Sequence, residues 1–321
     1  MTYDSNIISF PAPATAASSF GQAEAHPAAA VVDLADRRRA LSATLDSTVG
    51  KATELELTTD EIWAALNDNR IVMHYQPQYD MRTGETVAVE GLVRLLDYDS
   101  QLVYPDRFIE SMERSDLILV LGRAVIETAC ADLAELRAAG SELRRIAINL
   151  SARQLNIDSG LPEFIEQILD DYGLDFSDLE FELTERQRLS QQSRGPAVLA
   201  DLAERGARIV IDDFGIGFSS VAYLAELPIS AIKLDRVLVQ RLPHDKSTRT
   251  LIKCLLHLAS SMDIEVIGEG IETAAQNEYL LRSGCQFAQG FAYAKPMTFA
   301  ALQRFLGESH VAFDQSGEQS S

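Results

Sequence analysis

The sequence predicts an α/β chain closing as a (β/α)8, TIM-like barrel with one antiparallel strand, and three observations carry that reading. Short β-branched runs alternate with longer helical patterns. Eight such runs fall within about 245 residues, the size and rhythm of a barrel of this kind. The first two runs are joined only by Asp80-Met81-Arg82-Thr83-Gly84, too short for a parallel crossover, so they should pair as an antiparallel hairpin. A doubly wound open sheet is the alternative, and no G-x-G-x-x-G turn supports it.

Ordered structure should begin at Thr58-Thr59-Asp60-Glu61, where a hydroxyl followed three residues later by Glu makes a capping box ahead of Ile62-Trp63-Ala64-Ala65-Leu66. Strands are expected at Ile71–Gln76, Thr86–Leu92, Ile146–Leu150, Leu179–Leu183, Arg208–Ile211, Ala231–Leu234, Glu265–Gly268 and Gln286–Ala288. Helices are expected at Leu121–Ala139, Leu161–Asp171, Val198–Glu204, Thr248–Ser261 and Thr273–Ser283, with Gly140, Gly173, Gly206 and Gly284 as left-handed stops. Residues 1–57 read as a low-complexity, partly helical tail. Positions 11–30 hold nine Ala and three Pro, too small-sided for a core, and Arg37-Arg38-Arg39 is the single basic cluster before the barrel. The barrel should occupy 58–306, and 307–321 is a polar tail.

The chain has 28 Lys+Arg against 48 Asp+Glu, a formal charge of −20, which repels polyphosphate and argues against polymeric nucleic acid. Cys130, Cys254 and Cys285 are few and far apart, fitting neither a disulfide framework nor a Cys-based zinc site. No run approaches the ~18–20 apolar residues of a membrane span. The first thirty residues lack the basic head of a signal peptide. A cytoplasmic protein is expected.

In such a barrel chemistry sits where strands finish, and the finishing residues are polar throughout: Glu90-Gly91-Leu92, Asn149-Leu150-Ser151, Glu182-Leu183-Thr184-Glu185, Asp212-Asp213-Phe214-Gly215, Lys233-Leu234-Asp235, Glu269-Gly270-Ile271-Glu272 and Gln289-Gly290. Any one of these could be a helix cap or a solvated rim charge. Together, so many carboxylates in one place require cations, and a set of Glu, Asn and Asp without organised His or Cys suits Mg²⁺ or Mn²⁺. The adjacent Asp212 and Asp213 could bridge two ions, a clamp for in-line attack at phosphorus. Glu185 and Glu272 read as caps or as groups supporting the ligands. The Asp-Phe-Gly triplet has no kinase context, and His26, His74, His244, His257 and His310 show no ligand spacing.

At these residues the chain resembles the EAL-domain family of cyclic di-GMP phosphodiesterases. Tyr75-Gln76-Pro77, the Asp212–Ser220 loop, Lys233-Leu234-Asp235-Arg236 and Gln289-Gly290-Phe291 join the motifs above in family order, over roughly Ile62 to Phe305. The resemblance implies hydrolysis of cyclic di-GMP to linear pGpG with two Mg²⁺ or Mn²⁺ ions per site. One ion would be held by Glu90, Asn149, Glu182 and Asp212, the other by Asp212, Asp213 and Glu269. Lys233, Glu269 and Asp213 would serve catalysis, Lys233 by orienting the attacking water. Gln76, Leu92, Arg94, Asp235 and Gln289 would line the substrate, and Glu185 and Glu272 would brace the Asp213–Ser220 loop, which in this family touches a homodimer interface. Gly91 in place of Ala, Leu95 in place of Trp, Ile216 in place of Thr and Phe218 in place of Tyr depart from the family pattern. No Gly-Gly-Asp-Glu-Phe motif is present. The competing readings are a non-catalytic module that binds cyclic di-GMP or a partner protein, and a two-carboxylate glycosidase, which one Trp supports poorly.

Overall fold

A computed structural model describes residues 56–68, 70–185, 189–190, 192–215 and 221–308. The expected tails, apart from Glu56, Leu57, Gly307 and Glu308, and positions 216–220 of the loop after Asp213 lie outside the described residues.

The capping box forms as the sequence predicts. Glu61 N donates to Thr58 Oγ1 at 3.3 Å and Thr58 N to Glu61 Oε2 at 2.8 Å, starting α1 (Thr59–Asn67) with Ile62, Ala65 and Leu66 turned inward. The chain then runs through β1 (Ile71–Asp80), β2 (Thr86–Leu96), the two-residue β3 (Leu102–Val103), α2 (Ile109–Glu113) and α3 (Leu117–Ala138). Next come β4 (Arg145–Asn149), α4 (Ala152–Ile157), α5 (Leu161–Tyr172), β5 (Leu179–Thr184), α6 (Gly195–Glu204) and β6 (Arg208–Phe214). The remainder is α7 (Val221–Glu226), β7 (Ala231–Leu234), α8 (Arg236–Gln240), α9 (Lys246–Ser261), β8 (Glu265–Gly268), α10 (Ala274–Arg282), β9 (Phe287–Ala288), β10 (Met297–Thr298) and α11 (Phe299–Gly307). Gly173 closes α5 in the left-handed region at φ 65°, as expected of a helix stop.

Strands β9, β8, β7, β6, β5, β4 and β2 lie side by side in parallel, and β1 closes the ring antiparallel to both β2 and β9. Asp80 makes the hairpin turn: its carbonyl accepts from Gly84 N and its carboxylate from Arg82 N, each at 2.8 Å. Strand β1 runs four residues past the expected end at Gln76 because Pro77 does not stop it. The flank of β1 away from β2 contacts β10 at His74 and Tyr75 and β9 at Tyr79 and Asp80, and Pro77 falls in the gap between them.

Alternation along the strands sorts side chains into an outer core under the helices, including Ile148, Phe181, Ile209, Ile211 and Leu234, and an inner column. The inner faces read Arg145–Ala147–Asn149, Glu180–Glu182, Arg208–Val210–Asp212 and Glu265–Ile267–Glu269. Charged residues therefore sit at both ends of the barrel, separated by an apolar layer of Val210, Ala231 and Ile267 backed by Phe287.

Candidate metal and phosphodiester site

Lys233, from the inner face of β7, is fully buried at the C-terminal end of the barrel and collects the carboxylates of its neighbours. Its Nζ lies 2.7 Å from Glu269 Oε1, 2.8 Å from Glu182 Oε2, 3.1 Å from Glu90 Oε2 and 3.6 Å from Asp212 Oδ1. Glu90 is held further by amides, from Asn149 Nδ2 at 2.9 Å and Gln289 Nε2 at 2.7 Å. Gln289 Nε2 also donates to Gln76 Oε1 at 3.0 Å, and Gln76 Nε2 donates to the Ala294 carbonyl at 3.0 Å.

Beside this knot, Asp212, Asp213 and Glu269 each turn an oxygen to a common point, the three atoms within 4.8 Å of one another. Asp213 takes a positive φ of 57°, unusual for a non-glycine residue, and its N–H donates to Asp212 Oδ1 at 2.9 Å. That backbone turn is what lets two consecutive residues face the same cluster. Just beyond it Glu185 accepts from Gly215 N at 2.8 Å, tying the loop's start to the end of β5.

The electrostatics follow from burial. Desolvation, joined by Glu90, pushes the Glu182 carboxyl well up, and desolvation with Asp212 does the same to Glu269. Asp212 rises by burial, and Asp213 rises to about 6 through burial and its neighbours Asp212 and Asp235. At Glu90 the penalty of burial is outweighed by the Lys233 ammonium and the Gln289 and Asn149 amides, leaving it below its ordinary value. Burial pulls Lys233 down, but the surrounding carboxylates, Asp212 and Glu182 foremost, outweigh it and hold the ammonium protonated. Among the described residues five carboxylates thus face one ammonium, and Glu182 Oε1 is buried with no donor. Excess negative charge, oxygen-only donors and an orphaned carboxylate oxygen fit divalent cations.

The structure brings Glu90, Asn149, Glu182, Asp212, Asp213, Lys233, Glu269 and Gln289 together, with Gln76 on its amide relay. Leu92 and Arg94 follow Glu90 on the same face of β2. Arg94 is buried, donates from Nη1 to its neighbour's carbonyl at Val93, and stacks on Tyr104. Asp235 caps α8 through Val237 N. Glu272 lies apart from the knot: its carboxylate accepts from Gln240 Nε2 at 3.4 Å and its N–H donates to Gln276. Sequence reasoning passed over the Ala294 carbonyl that anchors Gln76, and a backbone acceptor leaves no trace in a motif. It also passed over Asp132, which bonds the Tyr75 hydroxyl from the buried side of α3. A carboxylate among Ala129, Cys130 and Leu133 on an apolar helix face was the available signal.

Fold and site together define an α/β barrel whose C-terminal mouth carries an oxygen-donor, carboxylate-rich centre. The chain belongs to the EAL domain family, whose model matches residues 59–296. It is 36% identical over 241 residues to "Cyclic di-GMP phosphodiesterase PdeR" of Escherichia coli, covering 75% of this chain and 36% of that protein. It is 34% identical over 256 residues to "Cyclic di-GMP phosphodiesterase NbdA" of Pseudomonas aeruginosa, covering 80% and 33%. The chain therefore spans about a third of the length of these relatives. Among solved structures, the PaMucR phosphodiesterase in complex with c-di-GMP superposes with a TM-score of 0.71 at 32% identity, over 76% of this chain and 98% of that one. No helix among the described residues is long and apolar enough to cross a membrane.

Proposed function

We propose that the protein is a metal-dependent phosphodiesterase that opens cyclic di-GMP to linear pGpG. The observation that carries this reading is the gathering of Glu90, Asn149, Glu182, Asp212, Asp213 and Glu269 around one buried lysine at the barrel mouth. The names of the relatives, and a c-di-GMP complex of a barrel 32% identical to this one, support the choice of substrate.

Glu90, Asn149, Glu182 and Asp212 would hold one Mg²⁺ or Mn²⁺, and Asp212, Asp213 and Glu269 a second. Such ions supply Lewis acidity and a water of lowered pKa. In the overall reaction the oxygen of water bonds to phosphorus, the P–O3′ bond breaks, and the 3′ oxygen leaves with a proton. Lys233 keeps its proton at Nζ and holds the carboxylates in register while orienting the water. Gln289 and Gln76 fix the Glu90 carboxylate. Arg94 and the chain at Leu92 hold the second phosphate edge, Asp235 adjoins the substrate, and Glu185 and Glu272 support the loop after Asp213. As part of this reading the protein works in the cytoplasm as a homodimer.

Incubating the full chain with cyclic di-GMP and Mn²⁺ or Mg²⁺ should yield pGpG, and Glu90→Ala should not. Absence of pGpG from the parent would refute the proposal.

A further inference from the structure

One exposed aromatic at the barrel mouth is placed by register and not by any motif. Strand β3 pairs antiparallel with the end of β2, Leu95 opposite Val103 and Leu96 opposite Leu102. Leu95 and Val103 face the outer core and are buried. One step along the same register sets Tyr104 opposite Arg94, on the face that also carries Leu92 and Glu90. The side chains meet there: the Arg94 guanidinium carbon lies 5.0 Å from the centre of the Tyr104 ring. Arg94 is only 7% exposed, and its Nε is shielded without a hydrogen-bond partner among the described residues. Tyr104 is 48% exposed, so with one face against the guanidinium the ring still presents a large flat surface to solvent. Pro105 follows directly and opens a short 3₁₀ turn, and Tyr104 before it is extended at φ −88° and ψ 157°.

An aromatic plane beside a cation, on the wall that leads from Glu90, suits a ligand that pairs a planar base with a phosphate. We propose that Tyr104 is a substrate-binding residue, a stacking platform for one guanine base of cyclic di-GMP whose adjoining phosphate is met by Arg94. This inference rests on the phosphodiesterase reading above and adds to it a specificity element outside the strand-end motifs. The ring, not the hydroxyl, is the working part, because stacking uses the π face.

The test is steady-state hydrolysis of cyclic di-GMP by the full-length chain carrying Tyr104→Ser, Tyr104→Phe or Tyr104→Trp, with stopped-flow emission on the last. Tyr104→Ser should raise KM by about 5- to 150-fold, the range of base–aromatic stacking, with kcat held within about twofold. Tyr104→Phe should keep the parent KM. The indole in Tyr104→Trp should be quenched in the binding phase, before pGpG forms, over and above any signal from Trp63. A KM for Tyr104→Ser within twofold of the parent overturns the inference. So does Tyr104→Phe as impaired as Tyr104→Ser, or an unquenched indole in Tyr104→Trp. In each of those cases an active parent leaves the phosphodiesterase reading standing, whereas a parent that neither binds nor hydrolyses cyclic di-GMP overturns both.

Discussion

The two ends of the barrel use the same residue types to opposite effect. At the N-terminal floor Glu180 accepts from Arg208 Nε at 3.1 Å and lies 3.9 Å from Arg145 Nη1, while Arg208 also bonds Glu265. Two guanidinium groups face two carboxylates there, so the charge closes on itself. At the mouth, five carboxylates face the single ammonium of Lys233. A balanced network can only hold strands together. An unbalanced one stores an affinity for cations, and the apolar layer of Val210, Ala231 and Ile267 keeps the two from neutralising each other.

The largest expected effect is at the mouth alone. Chelation should abolish hydrolysis, and reloading with Mn²⁺ at a thousandfold excess over Kd should stabilise the fold by about 4 kcal/mol in a thermal melt. Loading at neutral pH should release protons, because Glu182 and Glu269 are held well above the ordinary carboxyl range before the metal arrives. Since Asp213 titrates near 6, metal binding should weaken as pH falls from 7 to 5. Calorimetry in buffers of different ionisation enthalpy reads both, and metal binding without proton release would remove the claim that the mouth is charge-unbalanced.

A matched pair of substitutions separates the ends directly. Glu182→Ala should lower kcat/KM by more than about 10²-fold, since even groups that merely support metal ligands are worth 10- to 100-fold. It should leave stability in the metal-free state unchanged or improved, because burial and the neighbouring Glu90 already disfavour the Glu182 carboxylate there. Glu180→Ala should do the reverse: stability falls by about 2–3 kcal/mol, somewhat under the cost of breaking a fully buried pair because Arg145 and Arg208 keep some solvent contact. Turnover per folded molecule should hold. Denaturant titration beside hydrolysis rates would show whether the two phenotypes separate or coincide.

The polar strand ends were legible because alternation and strand length alone place Glu90, Asn149, Asp212 and Glu269 at one end. What sequence could not supply was closure. That Lys233 meets four carboxylates depends on the register of strands far apart in the chain, with Glu90 and Lys233 separated by 143 positions. The floor was missed for a simpler reason: Arg145, Glu180, Arg208 and Glu265 sit at strand beginnings, where chemistry is not sought. Tyr104 follows a strand of two residues, too short for any periodicity to show. Strand β1 runs on beyond the expected Gln76 through Pro77, a residue that central strands exclude, because the ladder has a gap at that point.

A smaller effect probes the approach to the mouth. His74 sits two residues before Gln76 on β1, and burial, with Arg94 nearby, lowers its pKa to about 4 from the usual 6.5. The unfolded chain then takes up a proton first as pH falls, so this residue costs stability progressively between pH 6.5 and 4. The loss should reach about 2 kcal/mol, allowing for a ring that keeps some contact with water. His74→Gln should flatten that part of the stability profile and leave the parent's behaviour above pH 7 untouched. Parallel profiles for the two proteins would show that His74 is not buried neutral.

The smallest effect concerns how tightly the mouth is packed behind Glu90. A Cβ placed on Gly91 would come 2.9 Å from Met73 Cε and 3.4 Å from the Ala147 carbonyl. The nearest obstacle is the end of a flexible side chain, so Met73 can move, and alanine also narrows the unfolded ensemble by about 0.4–1 kcal/mol. The two contributions oppose, and Gly91→Ala should change stability by less than about 1 kcal/mol. The residues are nonetheless in contact, so a double-mutant cycle with Met73→Ala should show coupling of at least about 0.5 kcal/mol, the double variant being more stable than the sum of the singles. Strict additivity would mean that Met73 does not fill the space an alanine would take, and that the glycine beside Glu90 owes nothing to its neighbour on β1.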